Sequence, residues 1–519
     1  MSLALVHSRA LLGARAPAVT VEVHVANGLP AFHIVGLPAA AVRESRERVR
    51  AALLHCGFDF PSRRLTVNLA PADLPKDSGR FDLPIAIGIL VATGQLPAER
   101  VAGHELVGEL SLTGTLRPSP GLLAIALGLR ADATGRCLVA PASDAAQAAA
   151  VPGIRALAAD SLAGVCAHFR GEAPLAQAVA CVPAREDTTP GQQPDFADVL
   201  GQAAVRRAAE LAAAGRHSLL LVGPPGSGKS MVAIRLASIL PPLGEDEALE
   251  TGAIAALRGL FDPGRLHRRP FRNPHHSASM VALVGGGNPP RPGEASLAHL
   301  GVLFLDELPE FGRGALEALR EPLETGRIEI ARAGHAISLP ADFQLVAAMN
   351  PCPCGQFGSA ACRCSPDRIL HYQQRVSGPV LDRIDLQLTV APTDQAALLA
   401  GTPAEPSAAI ARRVARAWRR QLDRQGGPNA RLDAAGIARH APLPADARRL
   451  LADAATRLRL SGRGMHRIQR IARTIADLDE ADTISVRHVA EAVGYRRALF
   501  RPAGGSQDTG RTASAPMLG

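Results

Sequence analysis

The sequence predicts a multidomain α/β protein with an all-helical C-terminal region, and three observations lead to that prediction. The chain has 519 residues, enough for about three domains. Short apolar runs alternate with helical patterns over residues 1–180 and again over 195–392, as in sheets with helical crossovers. Residues 410–500 read as helices throughout. We therefore expect two α/β domains followed by a helical one.

Turn-forming segments set the expected boundaries. The stretch Thr188–Pro194 is rich in Pro, Gly, Thr and Gln, which is typical of a linker, and the end of the chain is rich in Gly, Ser and Thr. The expected division is an N-terminal domain 1–180, a linker 181–195, a core 196–395, a helical domain 405–500 and a disordered tail 501–519.

Composition excludes several classes of protein. An apolar fraction of 47% argues against wholesale disorder. The longest apolar run, Leu83–Ala92, contains Pro and Gly and is too short to span a bilayer, and the N-terminus lacks the pattern of a signal peptide. Eight Cys in a chain of this length do not form the pattern of a disulfide framework. We expect a cytoplasmic protein with no membrane partner.

Charge is distributed unevenly. Residues 401–519 hold 21 Arg against 11 Asp and Glu, a net charge of +10, whereas the first 400 residues sum to −1. Such a region fits either a polyanionic partner or a solvated helical surface, and charge alone does not decide. Of the 57 basic residues only Lys76 and Lys229 are Lys, so each marks a position where a guanidinium does not serve.

The clearest motif is a phosphate-binding loop, which follows an apolar strand and opens a helix. Its glycines let backbone N–H groups turn inward around a triphosphate, Lys229 places an ammonium between the β- and γ-phosphates, and Ser230 ligates Mg²⁺. The expected nucleotide-binding residues are Gly223, Pro224, Pro225, Gly226, Ser227, Gly228, Lys229 and Ser230.

Two further apolar strands end in polar side chains. The strand from Val302 ends at Asp306 and Glu307, which we expect to hold Mg²⁺ and to act as general base towards the attacking water. The strand from Leu345 ends at Asn350. This amide either orients that water beside the γ-phosphate or is a buried, satisfied Asn.

These motifs resemble those of the AAA+ ATPases, specifically the magnesium-chelatase-related clade and its ComM-like (YifB) family. The resemblance covers nearly the whole chain and is carried by Arg269–Ser277, Gly285–Asn288, Pro292–Glu294, Gly301–Phe311 and Ala347–Cys354. It implies an AAA+ P-loop core with a C-terminal helical lid. It also implies ATP with Mg²⁺ as the nucleotide and a homo-oligomeric ring, expected to be a hexamer.

The resemblance also assigns two arginines. Arg383 is similar to the arginine finger that a subunit places on its neighbour's nucleotide. Arg463 aligns with a lid arginine that reads the γ-phosphate of its own chain, and Arg467 is the alternative for that role.

Residues 328–339 read as a hairpin. The resemblance implies that it projects into the pore of the ring. There Arg332 and His335 at its tip are expected to bind DNA phosphates without regard to sequence. The basic insertion 265–292 is expected near the same pore. Its adjacent pair His275–His276 suggests a metal, but adjacent side chains diverge and no third ligand is evident.

Four cysteines lie within thirteen residues, at Cys352, Cys354, Cys362 and Cys364. Four thiolates surround one Zn²⁺ tetrahedrally, and a structural zinc site is the favoured interpretation. Free or redox-sensitive thiols are the alternative.

The N-terminal domain resembles the Lon-protease α/β domain at Asn68–Ala72, Asp82–Gly88 and Gly108–Gly114. Peptidases of that type use a Ser–Lys dyad. Here Arg80 stands at the position of the nucleophile, and the only nearby pair is Lys76 with Ser78. We expect no peptidase activity.

Taken together, the resemblance implies an ATP-dependent, ring-forming DNA motor. The specific expectation is a branch-migration helicase that acts on branched or single-stranded DNA in recombination or natural transformation. The alternative is a protein-remodelling or metal-chelatase-type ATPase without DNA activity. A nucleotide switch that does not hydrolyse is disfavoured by the Asp306–Glu307 pair.

Overall fold

The structure is a computed structural model of the chain, and it describes residues 2–37, 40–76, 78–180, 194–287, 290–332, 335–392 and 403–496. The predicted tail 501–519 and nearly all of the predicted linker lie outside these ranges. So do the side chains of Arg332 and His335, although the backbone of both residues is described.

An eight-stranded mixed sheet forms the centre of the N-terminal domain, in the order β10-β9-β8-β5-β1-β2-β4-β3, with a small β6–β7 ribbon beside it. The strands are β1 (Ser2–Arg9), β2 (Ala18–Ala26), β3 (Ala31–Val35), β4 (Arg64–Ala70), β5 (His104–Leu106), β6 (Glu109–Leu110), β7 (Leu116–Arg117), β8 (Cys137–Pro141), β9 (Ala156–Ala159) and β10 (Ala176–Gln177). The helices are α1 (Ala40–Arg43), α2 (Ser45–His55), α3 (Asp82–Ala92), α4 (Ala98–Val101), α5 (Leu122–Asp132), α6 (Ala142–Ala149) and α7 (Leu162–Arg170).

The longest apolar run of the sequence is the core helix of this domain. Helix α3 packs on β1 and β2, and nearly all of its side chains are buried. Alternate residues of β2 and β4 are buried, because side chains on a strand point to opposite faces in turn. Helix α3 is apolar on all its faces because protein encloses it on every side.

The second domain is built on five parallel strands in the order β12-β15-β18-β11-β19. These are β11 (Leu219–Val222), β12 (Phe271–Arg272), β15 (Val302–Leu305), β18 (Gln344–Met349) and β19 (Leu386–Thr389), accompanied by the ribbons β13 (Gly285–Gly286) with β14 (Arg291–Pro292) and β16 (Arg327–Arg332) with β17 (His335–Pro340). The helices are α8 (Ala203–Gly215), α9 (Lys229–Leu236), α10 (Glu245–Ala256), α11 (Met280–Val284), α12 (Glu294–Leu297), α13 (Arg313–Ala318), α14 (Arg320–Thr325), α15 (Pro366–Gln374) and α16 (Gly378–Asp382). The predicted strands and hairpin of this region are confirmed.

The C-terminal region is helical, as predicted. Its helices are α17 (Ser407–Gln425), α18 (Ala434–His440), α19 (Ala445–Leu458), α20 (Gly462–Leu478) and α21 (Val486–Gly494). Helices α17 and α20 pack on α8, so that their apolar faces continue the core of the parallel sheet. The helical region is therefore fixed to one face of the second domain rather than built around a core of its own.

The N-terminal domain contacts the second domain through a helix pair. Helix α5 packs against α10, with apolar side chains of both in one cluster, and Arg130 forms a 3.0 Å ion pair with Asp246 at the edge of the contact. Among the described residues, no helix combines the length and the apolar character needed to cross a membrane.

Candidate active site

Three neighbouring strands bring the predicted nucleotide residues together. In the register of the sheet, Val222 lies beside Met349 and Leu305 lies beside Ala347. Because the strands are parallel, the segments that follow β11, β15 and β18 all leave the same edge of the sheet. The phosphate loop, the acidic pair and Asn350 thus meet at the carboxyl edge, where open α/β sheets bind their ligands.

The phosphate loop has the backbone that its glycines allow. Gly226 and Gly228 have φ of 75° and 82°, and helix α9 begins at Lys229. The ammonium of Lys229 donates to the carbonyls of Gly223 (2.7 Å) and Pro224 (2.8 Å), and burial lowers its pKa. Since these acceptors carry no net charge, the positive charge of Lys229 is not cancelled within the loop and suits a phosphate.

Ser230 and Asp306 form the pair expected for Mg²⁺. The Ser230 hydroxyl donates to Oδ2 of Asp306 at 2.5 Å, and Oδ1 of Asp306 accepts from the backbone N–H of Glu307 at 2.9 Å. A hydroxyl and a carboxylate side by side at a phosphate loop are the oxygen donors that Mg²⁺ takes from protein when it is bound with a nucleotide. The residues present therefore fit this ion.

Asn350 faces the phosphate loop directly. Its Oδ1 lies 3.2 Å from Nζ of Lys229. The predicted sensor amide and the predicted phosphate-binding ammonium therefore share one site, although this contact also gives Asn350 a hydrogen-bond partner within the protein.

Glu307 has a neighbour that the sequence did not predict. Oε2 of Glu307 lies 3.2 Å from Nδ1 of His276, in the segment that follows β12. The His275 ring bonds Ser277 at 2.8 Å and packs against the His276 ring, with 4.1 Å between the ring centroids, so the two side chains do not diverge as we expected. The histidine pair, considered above as a metal site, thus places one ring on the predicted general base. No local pattern reveals this contact, because it joins residues 31 positions apart.

Gln202 is a second residue that sequence reasoning missed. It precedes α8, and its side-chain amide donates to the carbonyl of Ser227 in the phosphate loop at 2.8 Å. The only sign of this contact in the sequence is a polar amide directly before a helix. That helix packs beside the loop.

Arg383 lies at the opposite edge of the sheet. Its carbonyl accepts from the Ser218 hydroxyl at 3.1 Å, and Ser218 directly precedes β11 while the phosphate loop follows it. At about 3.3 Å per residue, the length of β11 separates Arg383 from the nucleotide residues of its own chain. The guanidinium forms a 2.7 Å ion pair with Glu324, and its buried Nε has no hydrogen-bond partner among the described residues. This position fits an arginine that serves a neighbouring subunit.

Arg463, which we expected to read the γ-phosphate of its own chain, lies beside Arg383. Both guanidinium groups bind the same oxygen of Glu324, Arg463 at 3.2 Å. The alternative residue, Arg467, is at this edge as well, with its Nε 3.1 Å from Asp385. Helix α20 packs on α8, which places these arginines towards the amino ends of the strands, away from the phosphate loop of their own chain.

The basic surplus of the C-terminal helices has many partners inside the chain. Several of its arginines form ion pairs with acids of the second domain: Arg413 with Glu210, Arg431 with Asp342, Arg463 with Glu324, Arg467 with Asp385 and Arg496 with Asp382. Much of the net charge that pointed to a polyanion therefore holds the helices on the core. The charge of this region is a weaker sign of nucleic acid than the sequence indicated.

The predicted hairpin is present as β16–β17. Arg332 pairs with His335 across its end, next to the turn, while Ile328 and Ile337 are buried towards its base. A Cβ on Gly285 of β13 would lie 3.4 Å from the side chain of Ile330, so the ribbon that follows His276 rests on the hairpin. A continuous stretch of protein thus leads from the hairpin to Glu307.

The four cysteines converge, as predicted. Their sulfur atoms all lie within 4.8 Å of one another; Cys352 is 3.4 Å from Cys354 and 3.9 Å from Cys362, and Cys354 is 3.7 Å from Cys362. Zn–S bonds of about 2.3 Å in a tetrahedron place sulfurs about 3.8 Å apart. Hydrogen bonds from the backbone N–H groups of Gln356 and Arg363 lower the pKa of Cys354, whereas burial raises the pKa of Cys352, so Cys354 is the first of this pair to become a thiolate. The cluster has the composition and spacing of a zinc site.

The candidate dyad of the N-terminal domain has other partners. Lys76 is buried and donates to the carbonyl of Pro71, and burial lowers its pKa. The Ser78 hydroxyl accepts from Nε of Arg80 at 2.5 Å. An arginine that donates to a hydroxyl is no base for it, so the arrangement gives no support to a peptidase.

Three family models match the chain and together cover most of it. The model described as magnesium chelatase, subunit ChlI matches residues 195–398. The model of subunit ChlI of Mg-chelatase matches residues 21–143, and the ChlI C-terminal model matches residues 404–496.

Whole-chain relatives are similar over nearly the full length. The YifB protein of Salmonella typhimurium is 48% identical over 503 residues, covering 96% of this chain and 97% of the relative. The YifB protein of Escherichia coli is 47% identical, with 96% and 97% covered. The competence protein ComM of Haemophilus influenzae is 46% identical over 499 residues, with 96% and 98% covered.

Proposed function

The chain belongs to the magnesium-chelatase-related family that includes the ComM and YifB proteins, and from that membership we propose that it is an ATPase that assembles into a ring and moves along DNA. The expected ring is a homo-hexamer of the AAA+ type, and the expected location is the cytoplasm. The AAA+ core spans about residues 196–395, followed by the lid over 405–500.

One observation supports the ring above all others. The residues suited to ATP lie at the carboxyl edge of the sheet, whereas Arg383 and Arg463 share Glu324 at the amino edge. Within one chain the two groups do not meet. A head-to-tail contact between copies brings one edge against the other, and repetition of such a contact closes into a ring. We infer that both arginines act on the neighbour's nucleotide.

Each residue of the site then has a role in hydrolysis. Lys229 and the loop N–H groups bind the β- and γ-phosphates, and Ser230 and Asp306 hold Mg²⁺, which neutralises the charge of the phosphates. Glu307 takes the proton of the attacking water, and Asn350 orients that water. Arg383 of the adjoining subunit stabilises the charge that develops on the γ-phosphate.

DNA as the substrate is supported by the hairpin and by one relative. Arg332 and His335 stand at the end of β16–β17, which rests on the ribbon leading back to Glu307, so binding at the hairpin has a physical route to the site. ComM of Haemophilus influenzae is a competence protein. We propose branch migration on branched or single-stranded DNA during recombination or natural transformation.

A second function has one observation in its favour. Because many C-terminal arginines pair with acids of the chain itself, this region does not need a polyanion to balance it. A protein-remodelling or chelatase-type ATPase is the alternative, and indifference of ATP turnover to DNA would favour it.

We also propose that Cys352, Cys354, Cys362 and Cys364 hold one structural Zn²⁺. The N-terminal domain, over about residues 1–180, is proposed to be Lon-protease-like in fold and inert as a peptidase.

The ATPase assignment is tested by two substitutions with opposite effects on binding. Lys229→Ala removes the ammonium and is expected to abolish ATP binding. Glu307→Gln keeps the shape of the site and is expected to bind ATP while phosphate release falls by about 10²–10⁴-fold, the usual contribution of a general base. Binding is followed with a fluorescent ATP analogue, and turnover by phosphate release. Wild-type turnover in Glu307→Gln would contradict the assignment.

A further inference from the structure

The loop between β18 and α15 reaches the phosphate loop at two points. At its start, Asn350 accepts from Lys229 at 3.2 Å. Further along, the backbone of Gly355 lies against the ring of Pro225. The loop that carries the four cysteines is therefore in direct contact with the residues proposed to bind ATP.

The contact at Gly355 leaves no room for a side chain. A Cβ on this residue would lie 2.7 Å from Cγ of Pro225 and closer still to Cδ, distances that real Cβ atoms do not adopt. Gly355 has φ of 76°, and its N–H donates to the carbonyl of Cys352 at 2.9 Å, which closes the turn between the first two cysteines. Two of the proposed metal ligands thus lie within the three residues that precede Gly355, which touches the phosphate loop.

Little besides the cysteines holds this loop in place. Between residues 353 and 368, Gly355 is the only buried residue, and Phe357 is exposed. A segment with so few apolar contacts gains its order from cross-links, and a tetrathiolate metal site supplies them. The backbone hydrogen bonds of Gly355, Ser359 and Cys362 in this stretch each join residues only three positions apart, whereas four bonds to one metal would tie residue 352 to residue 364.

We propose that the metal in the cysteine cluster holds Gly355 against Pro225 and so keeps the phosphate loop in the shape that binds ATP. The metal is Zn²⁺, and this inference rests on the zinc site proposed above. The cluster thus cross-links its own loop and also positions the phosphate loop for nucleotide binding. Removal of zinc is expected to weaken ATP binding although no cysteine touches the nucleotide site.

Two glycines of the same loop provide a matched test in the full-length protein. Gly355→Ala and Gly358→Ala both place a Cβ at a left-handed residue, with φ of 76° and 89°, but only the first meets Pro225, since Gly358 has open space around it. We expect both variants to contain one zinc per chain by elemental analysis. Gly355→Ala should bind a fluorescent ATP analogue about tenfold or more weakly, a change of about 1.4 kcal/mol, and Gly358→Ala as wild type does.

Zinc removal is the second test of the positioning role. Cys362→Ser with Cys364→Ser, and wild-type protein stripped by a chelator, should show a similar loss of ATP affinity, and returning zinc should restore the stripped protein only. Circular dichroism checks that each protein remains folded. If Gly355→Ala is unfolded, the comparison of stripped with zinc-restored wild-type protein carries the test on its own.

The outcomes separate the two proposals. Equal ATP affinity of Gly355→Ala and Gly358→Ala, or undiminished affinity in zinc-free protein, would overturn the positioning role while leaving the zinc site intact. Wild-type protein that neither contains nor takes up zinc would overturn the zinc site itself.

Discussion

The carboxylate of Glu307 is engaged by His276, and this single contact has a consequence for control of hydrolysis. An oxygen that bonds an imidazole is less free to accept the proton of a water molecule. His276 begins the segment that leads through β13 to the hairpin. Movement of the hairpin on DNA is therefore expected to release Glu307, which makes His276 a positioning residue rather than a catalytic one.

His276→Ala is expected to raise ATP turnover without DNA by about two- to tenfold, the range that one hydrogen bond of about 0.5–1.5 kcal/mol represents. Stimulation by DNA should shrink accordingly, while ATP affinity stays unchanged. His275→Ala is the control, because it removes the neighbouring ring, which bonds Ser277 and lies 4.1 Å from the His276 ring, while it keeps the atoms of the His276–Glu307 contact. Phosphate release with and without DNA measures both quantities. Unchanged basal turnover with full DNA stimulation would show that the contact restrains nothing.

Local motifs predicted the residues of the nucleotide site, but not the contacts across the sheet. Lys229, Ser230, Asp306, Glu307 and Asn350 meet as expected, because each follows its own strand and the strands are parallel. The His276–Glu307 and Gln202–Ser227 contacts depend on how distant segments pack, and no spacing in the sequence encodes them. The contact of Arg463 with Glu324 depends on packing in the same way.

At the scale of elements, Asp385, directly before β19, joins the C-terminal helices to the second domain. Its carboxylate accepts from the Ser218 N–H at 3.1 Å and pairs with Arg467 of α20 at 3.1 Å. Burial opposes its ionisation, but the nearby His217 ring and the charge of Arg467 lower the pKa of Asp385 to about 2. A carboxylate buried between two elements and paired in this way joins them while it stays ionised.

Asp385→Asn is therefore expected to lower the free energy of unfolding near pH 7 by about 2 kcal/mol. Because the pKa of the folded protein lies below the value of about 3.9 in the unfolded chain, this contribution is present above about pH 4 and is lost as the pH falls towards 2. Urea unfolding at pH 7 and at pH 3 measures it. The control is Asp382→Asn, at a mostly exposed carboxylate 3.8 Å from Arg496. Equal losses in both variants would contradict the role of Asp385.

The order of helices and strands was predictable from hydrophobic patterns, whereas the place of the lid was not. The strands at Val302 and Leu345, the hairpin and the helical C-terminal region all lie where the sequence predicted them. The net charge of +10 in residues 401–519 is correct as a count. Whether it indicates a polyanionic partner depends on which acidic residues the arginines pair with in the folded chain. Ion pairs between domains depend on how the chain packs, so composition does not predict them.

At the scale of the whole molecule, the proposal is that a neighbouring copy completes the site, and mixing experiments test it. Lys229→Ala and Arg383→Ala should each be inactive alone. In an equimolar mixture, about one interface in four joins an intact phosphate loop to an intact Arg383, so part of the turnover should return. A mixture no more active than its components would contradict a shared site.

The same mixture decides the side on which Arg463 acts. Arg463→Ala mixed with Lys229→Ala should also regain turnover if Arg463 serves the neighbour, as its contact with Glu324 indicates. If Arg463 served its own chain, every intact phosphate loop in the mixture would lack it, and no activity would return.

The most direct test of the motor is ATP turnover measured with no DNA, single-stranded DNA, duplex and a four-way junction. We expect at least one DNA to stimulate the wild-type protein. The double variant Arg332→Ala, His335→Ala should keep its basal rate and lose that stimulation. Rings that hydrolyse ATP at one rate whatever DNA is added would contradict the account, and full stimulation in the double variant would contradict the role of the hairpin.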